Sequence, residues 1–147
     1  MNIPNNIAPE EDLGRSVFSS RDAKRARRSR VSLNAFLEKE GQTDISVDRL
    51  SIAPEEEAVA IADNVGTARN RTFYGWAVVT AEEARRSERE AIASPLKNNL
   101  YHADIRLPEL TAEDREEQKR HAQELADISR WRERPNLPED DHQEIEN

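Results

Sequence analysis

Hydrophobic and polar positions alternate with clear periods through the middle of the chain and lose them toward both ends. Leu33, Phe36 and Leu37 fall at i, i+3 and i+4 and so share one helical face. With Ser32 in front as a cap and Gly41 behind as a stop, they predict a short helix over 33–40. Ile45 and Val47 then alternate with Ser46 and Asp48, the period of a half-buried strand over 44–50. From Pro54 the period returns to 3.6. Ala58, Val59, Ile61, Ala62 and Val65 form a stripe, and Glu55, Glu56 and Glu57 sit where a helix N-terminus favours negative charge.

"TFYGWAVVT" at 72–80 is apolar at both parities, which predicts a central strand covered on both faces. Gly75 within it marks a bulge or the close approach of another backbone. Thr80 and Glu83 make a capping-box pair for a short helix over 81–88. A brief strand in "EAIASP" ends at Pro95, "LKNN" reads as a turn, and "NNLYHADIRLP" at 98–108 alternates again. Thr111 opens a long helix with a thin apolar line of Ala122, Leu125, Ala126 and Ile128, and Trp131 one turn further. The predicted fold is α+β: a small sheet of three to four short strands flanked by helices, with a charged C-terminal helix and disordered tails.

Composition sharpens the division. Hydrophobic residues make up 35% of the 147 positions, but 34 of the 78 between 31 and 108, against 9 of the first 30 and 9 of the last 39. The ends alone carry too little apolar surface to offset the entropy of ordering them. The expected organisation is a disordered basic arm over 1–30, a compact domain over 31–108, a charged helix over 109–134 and a disordered acidic tail over 135–147. Net charge is −8 overall, yet 15–30 carries +6 and 109–147 carries −7, so the chain is bipolar. Cysteine is absent, which excludes disulfides and thiolate metal sites and fits a reducing compartment. With no apolar run of membrane-spanning length and no secretory leader pattern, a soluble, cytoplasmic protein without a membrane partner is expected.

Three places can carry chemistry. His102, Asp104 and Arg106 project from one strand face about 6–7 Å apart. A histidine that titrates near neutrality, a carboxylate to orient it and a guanidinium to hold an anion suit acid–base or phosphate chemistry. The same alternation also describes a solvated sheet face. Arg69 and Arg71 precede Tyr74 and Trp76, a combination of charge and aromatic surface that can hold a nucleotide, although both rings also read as core. Arg21, Lys24, Arg25, Arg27, Arg28 and Arg30 form a basic segment fit for phosphate backbones or an acidic protein surface, and helical only against a partner. His121 stands alone on its helix, and His142 lies among tail carboxylates, so no metal site or cofactor is expected.

The readings that follow are an interaction or regulatory module binding a protein partner, itself included; a small enzyme or phosphate-ligand domain using His102, Asp104 and Arg106; and a nucleic-acid binder acting through 15–30.

Overall fold

The strand that joins the two halves of the sheet comes from the polar N-terminal segment. Asp12–Val17 (β1) has only two large apolar residues, Leu13 and Val17, and both are buried in the same layer. In this computed structural model, which describes residues 3–136, β1 pairs antiparallel with a strand on each side. It is followed by α1 (Ser20–Arg28), a 3-10 turn (Leu33–Ala35), β2 (Asp44–Arg49), α2 (Glu55–Ala68), β3 (Gly75–Thr80) and α3 (Ala81–Ala84). Then come β4 (Glu90–Ala93), β5 (His102–Arg106), a second 3-10 helix (Glu109–Glu113), α4 (Arg115–Ile128) and β6 (Arg130–Glu133). The sheet order is β4-β5-β2-β1-β3-β6, with every neighbouring pair antiparallel.

Two expectations are corrected here. The sheet has six strands rather than three to four, because β1 and β6 come from the segments read as an arm and as a helix end. Within 1–30, β1 and α1 are ordered parts of the fold. Low apolar content misleads in both places because a short strand with neighbours contributes only its inward residues. In β6 that residue is Trp131, whose indole packs where a side chain on Gly75 would sit. The close backbone approach expected at Gly75 is the carbonyl of Arg132, 2.5 Å from where a Cβ would stand.

One apolar layer lies beneath the sheet: Leu13, Val17, Ile45, Val47, Ala77, Val79, Ala103 and Ile105 pack against Phe36 and against Ala122, Leu125 and Ala126 of α4. The helix expected over 33–40 is reduced to one 3-10 turn, with Ser32 still its cap. Gln118 fastens α4 to that segment by donating from Nε2 to the main-chain carbonyls of Lys39 at 2.8 Å and Gln42 at 3.1 Å. On the opposite face, Ala58 and Ala62 of α2 pack with Leu50, Phe73, Trp76, Val78 and Tyr101. Two ion pairs clamp α2 from the C-terminal side, Arg132–Glu55 at 3.1 Å and Arg134–Asp63 at 2.6 Å. The Thr80–Glu83 capping box is present, on a helix of only one turn. α4 is capped by Asp114 rather than Thr111 and ends before Trp131. Of the tail expected over 135–147, residues 137–147, His142 among them, lie outside the described residues. No helix among the described residues is long and apolar enough to cross a membrane.

Candidate functional site

Register decides which polar side chains meet. Cross-strand partners share a face, so Gly14↔Asp48, Ser46↔Asp104 and Asp48↔His102 put Gly14, Ser46, Asp48, His102 and Asp104 on the α2 side of the sheet. α2 covers only part of that side. Beyond it lies a cleft of about 610 Å³, floored by Gly14, Ser16, Ser46, Asp48 and His102. Its walls are Ile61 and Val65 of α2 on one side and Leu96, Asn98 and Asn99 on the other. That size falls in the range of small-ligand sites.

The cleft opens where two strands part. The β1–β2 ladder ends at Gly14↔Asp48, although β1 runs on to Val17 and β2 begins back at Asp44. Arg15 occupies the gap. Its Nη1 donates to the Ser46 carbonyl at 2.9 Å and its Nε to the Ala35 carbonyl at 3.0 Å, while Nη2 pairs with Glu38 at 2.8 Å. A guanidinium therefore satisfies a strand carbonyl that the next rung would have used.

Asp48 is 8% exposed, an unusual position for a carboxylate. Asn99 Nδ2 donates to its Oδ1 at 2.7 Å, and Asn99 is itself set by the Tyr101 N–H donating to its Oδ1 at 3.0 Å. Burial, the largest influence, holds the Asp48 carboxyl above its ordinary pKa. The Asn99 hydrogen bond and the charges of His102 and Arg15 pull the other way. His102 Nδ1 lies 3.0 Å from the Ser94 carbonyl and 2.8 Å from Ser94 Oγ. Nδ1 is thus tied to Ser94, by donating to the carbonyl or by accepting from the hydroxyl, and Nε2 has no hydrogen-bond partner among the described residues. The arrangement is a half-buried imidazole in fixed orientation opposite a buried carboxylate with a raised pKa, at one end of a cleft.

The predicted site residues divide. His102 is on the cleft floor. Asp104 shares its face but does not line the cleft, and Arg106 pairs with Asp44 at 2.9 Å, exposed at the far end of the strand. Side chains spaced along one strand do not converge; the cross-strand neighbour does. Arg69 and Arg71 line the cleft, and the Arg69 guanidinium lies 5.7 Å from the centre of the Phe18 ring, another lining residue. Tyr74 and Trp76 are buried, Trp76 completely, and neither lines it. Arg21, Lys24, Arg25, Arg28 and Arg30 are exposed on or just after α1, while Arg27 pairs with Glu133. Asp48 and Asn99 escaped the sequence reading. Asp48 is visible there only as a polar position in an alternating strand, and its partner became apparent only once strands β2 and β5 were in register.

His121 is not solitary on a solvated helix. It is 2% exposed, and its Nδ1 lies 3.0 Å from Nη1 of Arg89, which also pairs with Glu124 at 2.9 Å. No group of three or more His, Asp or Glu side chains among the described residues is placed to hold a metal ion. No family model, no curated protein and no solved structure matches the chain.

Proposed function

We propose that this chain is a small ligand-binding domain whose cleft holds an anionic polar molecule and can move a proton on it. The observation that carries the reading is the His102–Asp48 pair on the cleft floor. One imidazole nitrogen is tied to Ser94, and the facing carboxyl has its pKa raised by burial. An oriented imidazole beside a carboxyl whose pKa burial raises is the usual machinery of general acid–base chemistry. Arg69 and Arg71 supply positive charge at the cleft, and Phe18, Ile61 and Val65 supply apolar wall. The roles follow: His102 Nε2 accepts or donates the proton, Asp48 balances the charge that forms on the ring, Asn99 positions Asp48, and the two arginines select an anion. The absence of cysteine supports a reducing, cytoplasmic setting.

The test is titration of the ¹⁵N-labelled chain with inorganic phosphate, adenosine monophosphate and uridine monophosphate, followed by amide and imidazole shifts. Shifts concentrated at Arg69, Asn99 and His102, and weakened at least tenfold in His102→Ala, are expected. Absence of any shift at these positions with all three probes, in a chain that remains folded, would overturn the reading.

A further inference from the structure

Charge is not spread evenly over the arginines. Nine of them pair with acidic side chains: Arg15, Arg27, Arg49, Arg89, Arg106, Arg120, Arg130, Arg132 and Arg134. The guanidinium groups of Arg21, Arg25, Arg28, Arg30 and Arg71 have no ion-pair or hydrogen-bond partner among the described residues, and Arg69 has only the Phe18 ring. Arg86, exposed in the turn after α3, is a seventh without such a partner; in a chain of net charge −8 with acidic side chains in excess, the other six fall in two neighbouring places. Those places are α1 with its end, and the turn after α2.

The cleft joins the two. Ser19, which caps α1, and Asp22 in its first turn line the cleft together with Arg69 and Arg71. α1 docks through Ala23, which is fully buried with Tyr74 and Trp131 beside it. Arg21, Arg25 and Arg28, at i, i+4 and i+7, form a stripe on its exposed side. Seven residues of helix rise about 10 Å, so the stripe runs that far from the cleft mouth.

We propose that the cleft and α1 together bind a single-stranded phosphodiester chain, with one nucleotide seated in the cleft and the following phosphates on Arg21, Arg25 and Arg28. This rests on the cleft reading above and names its ligand as part of a polymer. An aromatic wall at Phe18 backed by a guanidinium is suited to an unstacked base, and a ridge of unpaired arginines to a sequence-independent backbone. A duplex is too wide for a cleft of 610 Å³, which takes about one unpaired nucleotide.

The experiment is fluorescence anisotropy of the full chain with labelled single-stranded RNA and DNA 12-mers, their duplexes and polyglutamate, across a salt series. A variant carrying Arg21→Gln, Arg25→Gln and Arg28→Gln, all exposed, is measured beside it. Expected is binding of single strands over duplex, competed by uridine or adenosine monophosphate. In the triple variant the slope of log K against log salt should be shallower by about 2, as loss of three phosphate contacts to a single strand dictates, with mononucleotide binding unchanged. Preference of RNA over DNA, or the reverse, would identify the strand. Mononucleotide binding without strand binding would overturn this inference and leave the cleft reading standing. Strand binding that mononucleotides do not compete would place the strand elsewhere and overturn it, as would equal binding of polyglutamate or of duplex. Failure of both mononucleotides and strands to bind would remove the cleft reading with it.

Discussion

At the residue scale, a buried charge holds the segment before β1 in place. Arg49 is 1% exposed, and its Nε and Nη2 each lie 3.0 Å from a carboxylate oxygen of Glu11. It also donates to the main-chain carbonyls of Pro4 and Asn6. Arg49→Met should cost about 3–5 kcal/mol, because it strands the Glu11 carboxylate and two carbonyls, whereas Arg106→Met, whose pair is exposed, should leave the urea midpoint nearly unchanged. Urea denaturation of the two variants checks the contrast. The second buried cluster predicts a pH dependence. Burial lowers the His121 pKa below its ordinary 6.5, and the charges of Arg89 and Arg120 lower it further, against Glu124 and Glu117, which raise it. The unfolded chain therefore takes up this proton first as pH falls. Stability from this group is full above about 6.5 and drops below it until the folded imidazole also protonates. His121→Gln, which keeps an acceptor for Arg89 but cannot titrate, should flatten the fall in urea midpoint between pH 7 and 5. An unchanged slope would show that the group does not govern acid stability.

At the element scale, short strands survive because their contacts are specific. β6 is four residues long and depends on Gly75 across the ladder, where a Cβ would lie 2.5 Å from the Arg132 carbonyl and 2.6 Å from the Trp131 ring. Gly75→Ala should destabilise the chain by about 1–3 kcal/mol through overpacking, and strip hydrogen-exchange protection from 130–133 before the rest of the sheet. β2, β4 and β5 were legible as strands because each alternates or runs apolar between turn residues, and α2 was legible from its 3.6 period. Its buried side is narrower than the stripe suggests: Ala58, Ala62 and Gly66 are covered, while Val65 is exposed beside the cleft. α1 lacks an apolar stripe, and docking of one alanine beside Tyr74 and Trp131 replaces it.

At the scale of the whole molecule, β1 makes 31–108 incomplete by itself. It lies between β2 and β3, so a fragment of 31–108 keeps β4-β5-β2 and loses their attachment to β3. That fragment should show no cooperative thermal transition by circular dichroism, while a chain spanning 1–136 should unfold in one. A sharp transition in the fragment would contradict the central role of β1. The sequence alone determined the α+β class, most of the middle elements, the absence of thiol chemistry and the basic character of the α1 segment, because periodicity, caps and charge are local properties. It also singled out His102, Arg69 and Arg71. Only the tertiary structure decided that β1 and β6 complete the sheet, that Asp48 faces His102 and that Asp104 and Arg106 stay apart. Strand pairing joins residues tens of positions distant, and a one-residue change of register would turn each of these side chains to the opposite face.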